Sequence, residues 1–472
     1  MPDLTARRRT LVLAICCMSL LIVSLDNTIL NVALPSLQRD FHASVSGLQW
    51  TIDAYLLVIA SLLLLSGSTA DRIGRKKVFR TGLVLFTAGS LLCSLAPGLG
   101  WLIAFRMVQA VGGSMLNPVA MSIITNTFSE PRERARAIGV WGGVVGISMA
   151  AGPIVGGALV QSVGWRSIFW INLPIGLAAL VLTARFIPES RAPRARRVDP
   201  VGQLLVVALL GTLTYGIIEG SDAGWTSLPI VGCFTVAVLA AAGLATYERR
   251  RVDPLIDTRF FRSAPFSGAT VIAVCAFAAL GGFLFLNTLY LQNERGLSAL
   301  DAGLYMLPMA TMALVFAPLS GRLVGTRGPR IPLVLAGAAM TASGVLFAAF
   351  DAQSSDALLF TSYVLFGIGF GLVNAPITNT AVSGMPRAQA GVAAAVASTS
   401  RQVGQSLGVA VLGAALAAGL HEGAWWIIAG CGAAVLLLGT LTTGRWAKAT
   451  AARTAGLLLA PEAEDDRKAV RV

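Results

Sequence analysis

Residues 56–79 read LLVIASLLLLSGSTADRIGRKKVF. Fifteen residues without a charge run into Asp71 and then Arg72, Arg75, Lys76 and Lys77. A soluble helix spreads its charge along one face. Here the charge is held back to one end, as a segment leaving a bilayer requires. The pattern holds along the chain: of 472 residues, 55% are hydrophobic and 12% charged, against about 25% charged in a soluble domain. Lipid, not water, is the solvent for most of this surface.

The net charge of +13 does not point to nucleic acid, because the bases fill gaps between apolar runs instead of forming a stripe on one face. The six cysteines, Cys16, Cys17, Cys93, Cys233, Cys275 and Cys431, all lie inside apolar runs with no C-x-x-C spacing. They read as small buried hydrophobes. Only His42 and His421 are present, so no metal site is expected, and no cofactor. Neither G-x-x-x-x-G-K-[ST] nor G-x-S-x-G occurs, which argues against an ATPase or a hydrolase. The opening MPDLTARRR precedes an apolar run that continues to Leu34 without a small-residue cleavage pattern. It reads as a retained first helix, not a signal peptide.

Fourteen apolar runs can be drawn, at 11–34, 47–68, 78–97, 100–124, 136–160, 166–187, 200–219, 226–246, 265–291, 301–324, 331–350, 356–379, 390–418 and 424–444. Of the 36 lysines and arginines, 31 fall in the two tails and the loops on the same side as the tails, and three (Arg39, Arg166, Arg295) on the other. The loops at Arg72–Arg80, Arg132–Arg136, Arg185–Arg197, Arg249–Arg262, Arg322–Arg330 and Arg387 carry most of them. By the positive-inside rule both termini are cytoplasmic, and an even number of spans keeps the two classes of loop apart. The chain also repeats weakly. GSTADRIGRK (67–76) returns as GRLVGTRGPR (321–330), and GGSMLNP (112–118) as GFGLVNA (369–375). Both pairs fall on equivalent helices if the seventh and eighth runs are an insert, so the expected fold is two parallel six-helix bundles. The expected division is 1–190 for the first bundle, 191–262 for a linker with the two inserted helices, 263–447 for the second bundle and 448–472 for a cytoplasmic tail.

Four stretches carry a family resemblance: LDNTILNVALP (25–35), GSTADRIGRKK (67–77), RMVQAVGGS (106–114) and GISMAAGPIVGG (146–157), with WRSIFWINLPIG (165–176) beside them. The chain resembles the major facilitator superfamily, in its fourteen-helix drug:proton antiporter branch, over essentially its whole length except roughly the last twenty residues. The fold implied is all-α and membrane-embedded. Three charged residues lie inside the runs: Asp26 about 12 Å from the outer end of its run, Asp53 and Arg106 about 8 Å from theirs. A charge there costs roughly 2.5–3.5 kcal/mol on insertion scales and commonly marks a pathway or relay. A structural ion pair, or snorkelling to the interface, is the plainer alternative. Together with the resemblance, these three are the candidates for proton coupling.

The resemblance implies that Gly67, Asp71, Arg72, Gly74 and Arg75 form a cytoplasmic gating latch. Gly67 would admit a neighbouring helix, Gly74 a tight turn, and Asp71 a bond to Arg75 or to a helix N-terminus. It implies equally that Gly146, Gly152, Pro153, Gly156 and Gly157 form the motif that marks exporters, bending the helix and sealing the shut state. Asn31, Gln109, Asn117, Tyr290, Tyr305 and Asn374 are expected to line the substrate cavity. Glu219 and Arg401 face either the cavity or the interface. Phe283, Phe285, Met306 and Met309 read chiefly as packing. The function implied is export of amphiphilic drugs or antibiotics against a proton flow; the alternative is export of a metabolite or amino acid on the same scaffold. A membrane enzyme would need paired catalytic residues that the sequence lacks. The expected setting is a bacterial plasma membrane, and the expected state a monomer.

Overall fold

The computed structural model describes residues 5–192, 199–251, 254, 256–349, 355–386 and 389–469. Arg194, Arg196, Arg197, Arg387 and Arg471, counted above among the inner-side bases, lie outside them. The described residues contain helices and no strand. They are α1 (Ala6–Phe41), α2 (Val45–Ile73), α3 (Arg75–Ser94), α4 (Leu99–Thr127), α5 (Pro131–Ser162), α6 (Ser167–Trp170), α7 (Asn172–Phe186), α8 (Pro200–Ala223), α9 (Leu228–Glu248), α10 (Ala264–Leu289), α11 (Ala299–Tyr305), α12 (Leu307–Arg327), α13 (Arg330–Phe347), α14 (Asp356–Val382), α15 (Ala390–Ala417), α16 (His421–Leu441) and α17 (Arg445–Ala469).

Among the described residues, twelve helical segments are long and apolar enough to cross a membrane, counting Ser167–Phe186, Ala264–Glu294 and Ala299–Arg327 as one span each. That is two fewer than the apolar runs. The two that drop out are α3, which opens on Arg75, Lys76, Lys77 and Arg80, and α15, whose middle is STSRQVGQ. Both are nevertheless packed tightly. A Cβ on Gly112 of α4 would stand 2.3 Å from the Phe86 backbone of α3, and one on Gly404 of α15 would stand 2.4 Å from the Val274 carbonyl of α10.

Several boundaries differ from the runs for local reasons. Pro35 does not end α1, which continues to Phe41; a proline removes one N–H but the surrounding helices can hold the turn. Pro308 lacks the N–H that would bond to Leu304, and the chain breaks between α11 and α12 there. α10 ends in a π-helical turn, Tyr290–Glu294. Most of the stretch read as a tail is the docked helix α17. Its Ala447, Ala451, Thr454 and Leu458 are buried at helical spacing, and its Thr450 hydroxyl accepts from the Ala264 N–H at 2.9 Å.

The contacts divide the chain into two units. One comprises Met1–Ala240, Leu284–Ala310 and Val409–Gly419; the other comprises Ala241–Phe283, Thr311–Gly408 and Leu420–Val472. In the first, α3 packs on α4, α1 on α5, and α2 on α4 and α8. In the second, α13 packs against α14 and α16 around a ring cluster. Phe283 stacks on Phe366 at 4.6 Å and Phe347 at 5.2 Å, with Trp425 5.0 Å from Phe347. Phe283 and Phe285 are fully buried and serve as core.

Candidate functional site

At the centre of the first unit, Asp26 of α1 is almost fully buried and forms an ion pair with Arg106 of α4, which is wholly buried. Arg106 Nη1 donates to Asp26 Oδ2 and also to Gln109 Oε1 at 2.8 Å. The other carboxylate oxygen, Oδ1, accepts from Gln109 Nε2 at 2.8 Å and from Asn172 Nδ2 of α7 at 2.9 Å. Both amides also donate to the Ser90 hydroxyl of α3, at 3.0 and 2.8 Å. Arg106 Nε reaches the Thr51 carbonyl of α2 at 3.3 Å, and its guanidinium lies 4.0 Å from the centre of the Tyr55 ring. Asp53 is fully buried on the same helix, two residues after Thr51.

The shell offsets part of the cost of burial. Opposite charges in a low-dielectric interior are tolerated when their hydrogen-bonding positions are met; both Asp26 oxygens are met, while Arg106 Nη2 and Asn172 Oδ1 are buried with no partner among the described residues. Helices α1, α2, α3, α4 and α7 all contribute. Asp26 is fifteen residues from the end of α1, about 22 Å along the axis, because α1 does not stop at Pro35. Arg106 is seven residues into α4 and Asp53 eight into α2, about 10 and 12 Å.

The loop between α2 and α3 is built by two devices. Gly74 closes α2 at φ 122°, a backbone that L side chains rarely adopt. A Cβ there would also meet the Glu189 carboxylate at 2.6 Å. Across this turn Arg75 Nε and Nη2 both donate to Asp71 Oδ1, at 3.0 and 2.7 Å. Of the two partners open to Asp71, Arg75 is the one it takes. The segment after α7 is sewn on: the Arg75 N–H donates to the Ser190 carbonyl and the Ala192 N–H to the Asp71 carbonyl, while the Lys76 N–H donates to Glu189 Oε1 at 3.0 Å. Arg72 is exposed. Gly67 faces Pro118 of α4, where a Cβ would have ordinary contact at 3.9 Å, so the close approach expected there is absent.

The α5 motif packs in two directions. A Cβ on Gly152 would meet the Thr28 hydroxyl of α1 at 2.0 Å, and one on Gly156 would meet Ile29 at 3.1 Å. On the other face, a Cβ on Gly157 would stand 2.5 Å from the Ala299 carbonyl of α11, and one on Gly303 of α11 2.3 Å from the Pro153 carbonyl. Gly146 sits half-exposed on the same helix.

The residues assigned to the cavity are shared between the two units. Gln109 belongs to the Asp26 cluster. Asn31 is buried and donates to the Asn27 carbonyl of its own helix at 2.9 Å. Asn117 is on α4 with Oδ1 buried and no hydrogen bond to it among the described residues. Tyr290 lies in the π turn and Tyr305 ends α11. Asn374 belongs to the second unit, where its carbonyl accepts from Arg401 Nη2 at 3.4 Å. Arg401 also donates to Thr378 Oγ1 at 2.5 Å, which turns it toward the C-terminal end of α14. Glu219 of α8 accepts from the Trp50 indole at 2.7 Å.

Comparison with known proteins adds to this geometry. The sequence profile of the Major Facilitator Superfamily matches residues 16–409. The chain belongs to the Major Facilitator Superfamily. It is therefore a multi-pass membrane transporter and not an enzyme. Facilitators similar to it include the multidrug resistance protein Stp of Mycobacterium tuberculosis, 38% identical over 85% of this chain and 75% of that one. The tetracenomycin C resistance and export protein of Streptomyces glaucescens is 39% identical over 84% and 74%. The methylenomycin A resistance protein of Bacillus subtilis is 33% identical over 91% of each chain. Among solved facilitator structures, a bacterial homologue of the human lysosomal transporter Spinster matches with a TM-score of 0.62 at 17% identity, over 96% of this chain and 98% of that one. That likeness speaks to fold alone.

The cluster includes residues that sequence reasoning passed over. Asn172 lies in WINLPIG, where an amide inside an apolar run was a usable signal. Ser90, Thr51 and Tyr55 carry none, since a serine, a carbonyl and a tyrosine in a span are ordinary.

Proposed function

We propose that the chain is a proton-coupled antiporter that exports amphiphilic drugs or antibiotics across the bacterial plasma membrane. The observation that carries this is the buried Asp26–Arg106 pair with its amide shell. Asp26 is the proton carrier in this reading, and Asp53 sits on the approach along α2. Deprotonated Asp26 balances Arg106. A proton on Asp26 removes that balance and leaves a permanent cation in the low-dielectric interior, a state that favours rearrangement over staying shut. Return to the paired state requires the proton to leave. Export of a drug rather than of a metabolite is supported by the names of the relatives, all of which are resistance or export proteins.

In the same reading α3 and α15 also span the bilayer, giving fourteen spans, because both pack by close helix contacts despite their polar residues. Both termini are cytoplasmic, the Asp71–Arg75 turn is the inner latch, and the α5 glycines close the exporter's shut state. The two bundles are 1–190 and 263–447, joined through 191–262, with 448–472 on the inner side. The transporter acts as a monomer on a small amphiphilic substrate. The test is drug transport in inside-out vesicles under an imposed pH gradient. Export that stops when an uncoupler removes the gradient is the expected result. Export that survives the uncoupler and stops on ATP depletion overturns the reading.

A further inference from the structure

On α2, Gln49 is fully buried, two residues before the Thr51 carbonyl that accepts from Arg106. Its Nε2 donates to two successive carbonyls of α15, Val409 at 2.9 Å and Ala410 at 2.8 Å. One turn on, Gly413 makes room for it: a Cβ there would stand 2.4 Å from Gln49 Cδ and Nε2. The segment Val409–Gly419 belongs to the first unit, although the rest of α15 does not. The neighbouring Trp50 points the other way, donating to Glu219 of α8 and lying 5.9 Å from the Tyr215 ring. The base of the contact is thereby fixed.

We propose that Gln49, seated in the Gly413 socket, is an outer latch: it holds the outer end of α15 on α2 while the outer side of the path is shut and releases when that side opens. This rests on the orientation given under Proposed function. Three features suit a reversible contact. The bonds are neutral, so breaking them strands no charge. They fall on carbonyls of a continuing helix, which stay bonded within α15 when Gln49 leaves. Gln49 Oε1 is buried with no donor among the described residues, so the shut arrangement carries a cost that opening removes.

The test uses the full-length chain with its six cysteines replaced and a single reporter, Leu412→Cys, at a position buried in the shut arrangement. Labelling in intact cells with a membrane-impermeant maleimide reports opening to the outside. Gln49→Leu keeps the volume and removes both bonds, and Gly413→Ala expels the amide from the opposite side. Loss of two neutral hydrogen bonds is expected to raise the labelling rate roughly fivefold to fiftyfold in each. The double variant should exceed neither by more than about twofold, since both break one contact. A reporter in the inner cleft should move the other way. Unchanged labelling in Gln49→Leu, or an equal rise at both reporters, overturns the latch. Labelling needs no transport, so a latch that responds in a chain that exports nothing would leave this inference standing and remove the export reading.

Discussion

Replacing Asp26 by Asn changes one atom and removes one charge. The carboxylate receives three donors: Gln109 Nε2 and Asn172 Nδ2 on Oδ1, Arg106 Nη1 on Oδ2. An asparagine offers one acceptor oxygen and one NH2 group. Its better orientation keeps the oxygen toward the two amides and turns the NH2 against Arg106, donor to donor. Arg106 then keeps Gln109 Oε1, the Thr51 carbonyl and the Tyr55 ring, all neutral. Breaking a buried ion pair from one side costs about 3–5 kcal/mol. With side-chain exposures of 0% and 2%, solvent screening reduces that little. The variant should express at a lower level and unfold at a lower temperature in detergent, and export driven by the pH gradient should vanish. Folding and coupling separate in a second variant, Asp26→Asn with Arg106→Gln. Removing both charges relieves the stranded cation, so stability should return most of the way while coupled export stays absent. Gradient-driven export near the wild-type rate in Asp26→Asn, or restored export in the double variant, would refute the reasoning.

Two further outcomes follow from contacts on either side of the first unit. Asp71→Asn weakens the turn to Arg75, but the two side chains are 35% and 11% exposed. The contact is therefore worth about 0.5–1 kcal/mol, and cysteine labelling in the inner cleft should rise only about twofold to fivefold; a hundredfold rise would mean Asp71 has a partner of another kind. Gly157→Ala drives a methyl into the Ala299 carbonyl at 2.5 Å, whereas Gly139→Ala on the same helix meets open space. The first should lose most transport, with an overpacking cost of about 1–3 kcal/mol, and the second should match wild type in the same vesicle assay.

The fold was legible because the bilayer leaves few options. Charge expelled to the ends of runs such as 56–65 marks membrane-spanning helices. Asp26 and Arg106 were legible for the same reason, since an intramembrane charge stands out against apolar neighbours. The length of α1 was not, because Pro35 reads as a stop while the helix continues past it to Phe41. The amide shell was only half legible: Gln109 was noticed for its polarity and assigned to the cavity, and Ser90 was invisible. The apolar runs outnumber the helices of membrane-spanning length where polar residues enter a run. α3 opens on Arg75, Lys76 and Lys77, and α15 carries Arg401, which lowers the hydropathy of both.

One turn of α2 joins two of these sites. Gln49 holds α15, Trp50 holds α8, and the Thr51 carbonyl accepts from Arg106 Nε. Arg106 is in turn held by Asp26. In the proposed cycle a proton on Asp26 frees Arg106 to move, and the backbone that Arg106 touches lies two residues from Gln49. Spatial adjacency does not establish coupling; a shared two-state element does. The turn is such an element if the two perturbations depend on each other. Asp26→Asn, which imitates the protonated acid, should therefore raise outer labelling at Leu412→Cys when Gln49 is present. In the Gln49→Leu background, where the latch is already released, the same substitution should add little. Additive effects of about equal size in both backgrounds would show that the proton site and the outer latch act independently, and the link through Thr51 would fall.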